Sequence, residues 1–406
     1  MNLGSLFRQL FASPAAPRAA PTPPRAAPAP ARRLASSDTD PFVAFVTMTN
    51  EVRPFSRAGE GFSPLASVRL RILAPATGIA PAMRVMFVPL QMFAADPSLA
   101  SLGRPHAVVL GKLSTAYLLG HRGEMSGMLQ RIADLSAGPR LFADLSDDYA
   151  AMGDILGDPF LAEYQAALAR HCTLTVPCEA LAERLRPHAA RGVHVIEDPW
   201  ESPRLNQPKA PQAGPVRLCW FGNLGDTNQA LVDDSLARVA ARLRGRPATL
   251  AIVAGKDRAH LVEGIAAHAR REHPQLEVES IPWSPENTWR AIDDCDVVLL
   301  PQESGGAWGS VKSHNRLLEA IRGGRIAVAS PIPAYRELAD YAWVGESLAD
   351  GVDWALANPQ AAADRVAAGQ KYIEARFSPQ AIGRRWSEVL GIAGASGAGG
   401  ACSPNC

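Results

Sequence analysis

Short apolar stretches recur along this chain, and a proline-rich interruption separates them into two runs. The interruption, residues 198–214, contains four prolines and no apolar periodicity. Within each run the apolar stretches alternate with segments of helical spacing, which implies a mostly parallel sheet with helices on both faces. A chain of 406 residues is long for one core and sufficient for two domains of about 150 residues. The sequence therefore predicts an α/β protein with two Rossmann-like, doubly wound domains.

The apolar stretches set the predicted domain boundaries. Strand candidates of the first run are residues 42–48, 85–89, 106–111, 140–145, 172–177 and 192–197, and those of the second run are 216–221, 249–254, 276–281, 296–301 and 325–330. We predict the N-terminal domain over 41–200, a linker over 201–214 and the C-terminal domain over 215–375. Residues 1–40, rich in Ala, Pro and Arg, and residues 391–406, rich in Gly and Ala, are expected to be disordered.

Composition narrows the class of protein. The formal net charge of +1 gives no overall field for nucleic acid, so no nucleic-acid partner is expected. Neither the six cysteines nor the nine histidines show paired metal-ligand spacing, so no metal or other cofactor is predicted. Scattered cysteines that fall beside apolar strands fit a reducing, cytoplasmic setting. No run of about 18 apolar residues exists, so no transmembrane helix is expected.

The N-terminal segment 1–37 differs in kind from the rest of the chain, because it carries five arginines and no acidic residue. Its first part places apolar side chains at helical spacing beside Arg8, namely Leu3, Leu6, Phe7, Leu10 and Phe11. One interpretation is a short interfacial helix on a basic tether, which would contact the inner membrane face peripherally. The other interpretation is a disordered terminus, and the sequence leaves both open.

Residues 309–331 carry the most functional information. Gly309 and Ser310 are predicted to cap a helix that runs through Ile321 and precedes a short buried strand over 326–329. The helix has a polar stripe and, on roughly the opposite side, an apolar stripe: Lys312, Asn315, Arg316 and Glu319, against His314, Leu317, Leu318 and Ile321.

The two cations of the polar stripe lie near the predicted N-terminus of this helix. Partial positive charge at that end makes Lys312 and Arg316 unfavourable there unless an anion is bound. The free backbone N–H groups of a helix N-terminus are themselves an anion site, and a loop with three glycines, 304–309, precedes this one. The pattern indicates an anion-binding helix. The alternative is a solvated polar face that carries an ion pair between Arg316 and Glu319.

The order of a flexible loop, a helix with a glutamate, a small-residue turn and a strand ending in Ala-Ser resembles the donor-binding helix of GT-B glycosyltransferases of the group-1/group-4 type. The Ser-x-Arg-x-Arg pattern of residues 67–71 is similar to a segment found early in these enzymes. The resemblance implies that Glu319 binds the ribose of a nucleotide sugar, and that a final helix over 376–390 returns to the first domain. The family's earlier acidic residue, eight positions before the glutamate, is replaced here by Val311.

Further candidates follow the strands of the C-terminal domain, because ligands of open α/β sheets bind beyond the carboxyl ends of strands. Gly222, Asn223 and Gly225 would let the backbone approach a diphosphate closely, although a tight structural turn explains the glycines equally well. Lys256 would neutralise a nucleotide phosphate, or it is an exposed loop cation. Trp283 lies where the resemblance places the base-contacting loop, or it is an ordinary packed tryptophan.

Two candidates belong to the N-terminal domain. Asp147 follows the strand 140–145 and could position or deprotonate an acceptor hydroxyl, whereas its neighbours Asp144 and Asp148 are interpreted as capping or solvated residues. Lys112 ends the preceding strand, where it would contact a phosphate or an acidic acceptor, or would be solvated.

With the resemblance, the sequence predicts transfer of a sugar from a nucleotide-sugar donor, bound as substrate, to a hydroxyl of a saccharide or lipid-linked acceptor. The leaving diphosphate would be stabilised by helix N-termini, Lys312 and Arg316, without an essential divalent ion. The Asp-x-Asp pattern of residues 294–296 leads directly into a strand and is not interpreted as a metal site. Retention at the anomeric carbon is implied by the resemblance alone, and a role in cell-surface polysaccharide or glycolipid assembly is a further hypothesis.

Two other functions remain open from the sequence. The first is a non-catalytic, nucleotide-sugar-binding scaffold of the same fold, which the missing acid at Val311 favours. The second is a nucleotide-sugar epimerase, since a fold alone does not decide the chemistry of its site.

Overall fold

The chain folds into two parallel six-stranded sheets, one in each half, surrounded by helices. The computed structural model describes residues 40–48, 52, 63, 65–135, 137–212, 214–243 and 245–392. The predicted α/β fold with two Rossmann-like halves is confirmed. The segment 1–37, with its two interpretations, lies outside the described residues. Of the expected tail, Gly391 and Ile392 are described, and Ile392 is buried among apolar side chains.

The strands of the first sheet are β1 Phe42–Thr47, β2 Arg84–Pro89, β3 Pro105–Leu110, β4 Arg140–Asp144, β5 Thr173–Val176 and β6 Val193–Val195. Their order across the sheet is β2-β1-β3-β4-β5-β6, and every pairing is parallel. All six residues of β1 are buried, as expected for a strand covered on both faces. Phe45 at its centre pairs with Phe87 of β2 and Val109 of β3.

The second sheet is built in the same way from β7 Val216–Phe221, β8 Ala248–Ala254, β9 Leu276–Pro282, β10 Val297–Leu300, β11 Ile326–Ala329 and β12 Trp343–Val344. Its order is β12-β11-β10-β7-β8-β9, again with parallel pairing throughout. Each strand predicted from the sequence is present. The strand β12 was not predicted, because two residues are too few to show a periodicity.

Helices of the first domain cover both faces of its sheet. They are α1 Ala66–Val68, α2 Ala74–Ile79, α3 Leu90–Ala95, α4 Thr115–Gly120, α5 Arg122–Ala133, α6 Tyr149–Leu156, α7 Pro159–His171 and α8 Glu179–Leu185. A π-helical turn, Arg69–Leu73, joins α1 to α2. Single 3₁₀ turns are formed by Ala100–Leu102 and Arg186–His188.

Helices of the second half follow the linker. They are α9 Asp226–Arg242, α10 Ala259–Glu272, α11 Pro285–Asp294, α12 Asn315–Arg322, α13 Pro333–Arg336, α14 Leu348–Ala357, α15 Pro359–Arg376 and α16 Pro379–Val389. The 3₁₀ turns here are Lys256–Arg258 and Gly309–Val311. Within the described residues, none of the helices combines the length and the apolar character needed to cross a bilayer.

The last helix, α16, packs on the first domain. Gly383 of α16 and Gly78 of α2 approach so closely that a Cβ on either would lie 2.6 Å from the other's Cα. The indole of Trp386 packs edge-on against Phe45 of β1, with 6.0 Å between ring centroids. The chain therefore crosses from the second sheet back to the first before it ends.

Candidate active site

Loops that follow the carboxyl ends of strands in the two domains meet at one place. In the first domain these loops carry Lys112 after β3, Asp147 after β4 and Cys178 after β5. In the second domain the loop after β10 contacts them, through residues 307–313. We call residues 307–313 the bridging segment. Ligands of open α/β sheets bind at this edge, so the contact region is the candidate active site.

Arg184, at the end of α8, contacts the bridging segment from the first domain. Its guanidinium donates to the carbonyl oxygen of Ala307 at 2.5 Å and to Oγ of Ser310 at 3.0 Å. The same guanidinium donates to Oδ2 of Asp148 at 3.1 Å. Asp148 also caps α6 by accepting a hydrogen bond from a backbone N–H of that helix. Arg184 thus links a first-domain carboxylate to the loop of the second domain.

Two further hydrogen bonds join the bridging segment to residues outside it. The thiol of Cys178 donates to the carbonyl oxygen of Val311 at 3.1 Å. The hydroxyl of Ser313 donates to Oδ2 of Asp198, just before the linker, at 2.6 Å. Val311, which occupies the position of the family's earlier acid, is fully buried.

The helix predicted to start after Ser310 starts later, and this is a correction. Residues Gly309–Val311 form a 3₁₀ turn, the backbone is extended at Lys312, and α12 begins at Asn315. The contacts of the bridging segment with the first domain replace helical hydrogen bonds, so Lys312 is not on the polar stripe of the helix. Gly309 permits the turn, because a Cβ there would lie 2.3 Å from the carbonyl oxygen of Glu303.

Asp147 is almost fully buried between two lysines, one from each domain. Its Oδ1 accepts from Nζ of Lys312 at 2.6 Å, and its Oδ2 contacts Nζ of Lys112. Burial acts to raise the pKa of Asp147, but the two ammonium groups outweigh it and leave that pKa below its ordinary value. A carboxylate stabilised in this way is a weak base. The geometry therefore fits a positioning role for Asp147 better than deprotonation of an acceptor.

Lys312 also lies over the indole of Trp308, 3.5 Å from the ring centroid. Burial lowers its pKa, against the attraction of Asp147, and the positive charges of Lys112 and Arg316 lower it further. Several cations therefore converge on this part of the cleft.

The neighbouring carboxylate of Asp144 has a structural role. It accepts from the fully buried guanidinium of Arg71 at 2.7 Å and from the hydroxyl of Thr175 at 2.7 Å. Asp198 contacts the same guanidinium at 3.2 Å. These groups satisfy one another, which is the condition for keeping charges inside a protein.

Arg316 and Gly222 bring α12 next to the loop after β7. The guanidinium of Arg316 donates to Oε1 of Gln302 at 2.6 Å. Gly222 has a φ of 156°, and a Cβ on it would lie 3.2 Å from Nη1 of Arg316. The predicted residues Asn223 and Gly225 continue this loop into α9, while Oδ1 of Asn315 accepts from the backbone N–H of Arg316 at 2.6 Å. A side chain at position 222 would crowd the guanidinium.

The carboxylate of Glu319 contacts the linker. Its Oε1 accepts from the backbone N–H of Glu201 at 2.5 Å, and its Oε2 accepts from the N–H of Ser202 and the indole N–H of Trp289, both at 3.2 Å. Loss of surrounding water raises the pKa of Glu319 to about 7. The N–H of Ser202 also lies 3.4 Å from Oε1, so three donors share the two oxygens of this carboxylate, which can accept about four hydrogen bonds.

Lys256 follows strand β8, and Trp283 follows strand β9. Trp283 is half-buried, its backbone N–H donates to the carbonyl oxygen of Ala254 at 2.7 Å, and the guanidinium of Arg69 lies 5.0 Å from its ring centroid. Arg69 in turn donates to Glu201 at 2.6 Å. Lys256 is exposed in its 3₁₀ turn.

The structure thus brings the predicted site residues together in two groups. Asp147 and Lys312 meet at the bridging segment, which also contains Gly309 and Ser310. Arg316, Asn315 and the loop from Gly222 meet at the start of α12, while Glu319 faces the linker. Sequence reasoning missed several partners of these residues: Arg184, Asp198, Glu201, Trp289 and Trp308.

Asp296, the second acid of the Asp-x-Asp pattern, is buried and accepts from the backbone N–H of Arg217 at 3.0 Å. Its carboxylate therefore fixes the start of β7. Among the described residues, no three His, Cys, Asp or Glu side chains are grouped so that they could hold a metal ion.

Several solved structures share this architecture. No protein-family model and no curated protein matches the sequence. Solved structures do match, including Anabaena HepE in complex with UDP and glucose, at 12% identity and a TM-score of 0.59 over 86% of this chain and 99% of that one. A trehalose-6-phosphate synthase, analysed for glycosyl transfer with retention, matches at 11% identity and a TM-score of 0.55 over 86% of this chain and 98% of that one. TarM from S. aureus, in complex with fondaparinux, alpha-GlcNAc-glycerol and UDP, matches at 14% identity and a TM-score of 0.50 over 70% of this chain and 55% of that one. At these identities the likeness shows the fold, and this chain has the GT-B fold of these glycosyltransferases.

Proposed function

We propose that this protein transfers a glycosyl group from a nucleotide sugar to a hydroxyl acceptor. The bond between the anomeric carbon and the diphosphate breaks, the acceptor oxygen bonds to that carbon, and a nucleoside diphosphate and a proton are released. One observation carries the proposal. The guanidinium of Arg316, at the start of α12, lies beside the glycine loop after β7 and contacts Gln302 of the loop after β10.

This arrangement suits a diphosphate. Among the hydrogen bonds of the described side chains, the guanidinium of Arg316 donates to a neutral amide oxygen, that of Gln302, and not to a carboxylate. Gly222 has no side chain to fill the space beside this guanidinium, which leaves the backbone open to close approach by a diphosphate. A guanidinium binds phosphate oxygens through two parallel hydrogen bonds. Lys312 and the exposed Lys256 are the additional cations of this site in the proposal.

The nucleoside would lie along the other side of α12. Glu319 has about one lone-pair position left for a ribose hydroxyl, and Trp283 offers a half-buried aromatic ring for the base. HepE and TarM were solved with UDP, which makes uridine diphosphate sugars the first donors to test.

The finer features of the reaction are part of the proposal. We propose that the configuration at the anomeric carbon is retained, because the group-4 resemblance implies it and the similar trehalose-6-phosphate synthase transfers with retention. Cations of the protein, rather than a divalent ion, would stabilise the leaving diphosphate. The acceptor would be a saccharide or a lipid-linked sugar in cell-surface polysaccharide or glycolipid assembly. The segment 1–37 would then provide peripheral contact with the cytoplasmic face of a membrane.

The test combines binding with product analysis. A panel of labelled uridine diphosphate sugars is incubated with the full-length protein and an acceptor mixture, and the products are separated. A labelled glycoside supports the proposal, an isomerised donor indicates an epimerase, and binding without turnover indicates a scaffold. Arg316→Met should weaken binding of the nucleoside diphosphate about ten- to a hundredfold, whereas Arg290→Met, at an exposed position of α11, should not weaken it. Absence of nucleoside diphosphate binding by the wild type would overturn the proposal.

A further inference from the structure

Two lysines share a single carboxylate at the centre of the cleft. Lys112 of the first domain and Lys312 of the second contact different oxygens of Asp147. The side chain of Asp147 is 8% exposed, whereas those of Lys112 and Lys312 are 24% and 26% exposed. The carboxylate is therefore enclosed, whereas about a quarter of each lysine side chain is exposed.

One ammonium group would be enough to neutralise Asp147. The second leaves a net positive charge, and the two like charges on one carboxylate repel each other. The positive charge of Arg316 also repels that of Lys312, and the described hydrogen-bond acceptor of Arg316 is the neutral amide of Gln302. The carboxylate of Asp148 is engaged elsewhere, with Arg184 and with the cap of α6.

Asp144 and Asp198 flank the buried guanidinium of Arg71. Asp198 also accepts the hydroxyl of Ser313. An anion placed against the two lysines would remove their repulsion without displacing any of these pairs. An ammonium group has three N–H donors, and the described hydrogen bond from Lys312 to Asp147 uses one of them.

We propose that Lys112, together with Lys312, forms an anion site of the acceptor that adjoins the diphosphate site at Arg316, with Lys312 shared between the two anions. It rests on the proposed function, and it names the acceptor class: a saccharide or lipid that carries a phosphate or carboxylate group. Lys112 belongs to the domain that faces the donor domain, which is where an acceptor must enter. The half-exposed indole of Trp308, against Lys312, gives a flat surface on which a sugar ring can stack.

Inorganic phosphate is the first probe, titrated by calorimetry into the full-length protein with and without saturating UDP. We expect phosphate to bind in the presence of UDP. Lys112→Met should weaken that binding about tenfold or more, because it removes one charge-assisted contact, and Lys112→Arg should restore most of it. Lys371→Met, at an exposed position of α15, is the matched control and should bind as the wild type does.

Two results would overturn the inference: phosphate that binds only in competition with UDP, or phosphate binding that is unchanged in Lys112→Met. Failure of the proposed function has a different signature, because UDP would then not bind, while the phosphate titration without UDP still reports on the two lysines. The source of the anion is distinguished by comparing a hexose phosphate, a hexuronate and a polyprenyl phosphate in detergent micelles. Each should show the same dependence on Lys112 if it occupies this site, and the tightest binder identifies the acceptor class.

Discussion

The carboxylate of Glu319 accepts a hydrogen bond from the backbone N–H of Glu201 at 2.5 Å, so helix α12 is fixed to the linker between the two domains. The side chain of Glu201 pairs with Arg69, whose guanidinium lies over the indole of Trp283. The glutamate that would bind ribose and the tryptophan that would meet the base are thus connected through the linker. In the proposed function, donor binding and domain orientation would depend on the same contacts.

Glu319→Ala should lower stability as well as donor binding. It leaves the N–H groups of Glu201, Ser202 and Trp289 without their acceptor, and unsatisfied donors of this kind cost about 1–3 kcal/mol each. We expect the free energy of unfolding to fall by roughly 2–4 kcal/mol in chemical denaturation. Glu346→Ala, an exposed glutamate, is the control. Unchanged stability of Glu319→Ala would return this residue to a purely ligand-binding role.

The fold and the presence of helix α12 could be predicted from the sequence because their signals are local. Apolar stretches bounded by glycine and proline marked the strands, and the small-residue turn marked the end of α12. The linker contacts of Glu319 could not be predicted, since their partners are backbone N–H groups more than a hundred positions away. The same holds for Arg184, whose carbonyl and hydroxyl acceptors in the bridging segment have no local pattern. The start of α12 was misplaced because cross-domain contacts overrode the local cap.

His314 should make stability depend on pH. It is 1% exposed, packs edge-on against Phe377 at 4.7 Å between centroids, and burial lowers its pKa from 6.5 to about 4. Glu197 opposes that shift, and Arg376 and Arg385 add to it.

Between pH 6.5 and about pH 4, His314 binds a proton in the unfolded chain but not in the folded chain. The free energy of unfolding therefore falls as the pH is lowered through this range. The loss is about 3 kcal/mol at most. His314→Phe keeps the ring shape and removes the titration. The difference between the two stability profiles should therefore change over this window, and parallel profiles would contradict the argument.

Arg316→Met should weaken UDP binding about ten- to a hundredfold while it changes uridine binding little, because the guanidinium is placed for phosphate oxygens. Calorimetry with both ligands measures the difference. Gln302→Met removes the described acceptor of this guanidinium and serves as a second variant, with a smaller expected loss. Equal weakening of UDP and uridine would show that Arg316 acts on the nucleoside.

Chelation should leave transferase activity largely intact. In the proposed function, Arg316 and Lys312 would supply the positive charge that a divalent ion otherwise provides at the leaving diphosphate. The measurement is the initial rate with EDTA, and again after addition of manganese or magnesium. Activity that is lost with EDTA and restored by either ion would rule out a metal-independent mechanism.

Arg184 should affect turnover more than donor affinity. Its contacts with Ala307, Ser310 and Asp148 position the bridging segment across the cleft, whereas the diphosphate site lies beyond that segment at Arg316. In Arg184→Met we expect kcat to fall while the dissociation constant of UDP changes little, and limited proteolysis to cut the loop before α12 faster than in the wild type. Arg186→Met is the matched control, because that arginine pairs at the surface with Glu179. A variant whose UDP affinity falls in proportion to its turnover would instead place Arg184 in the donor site.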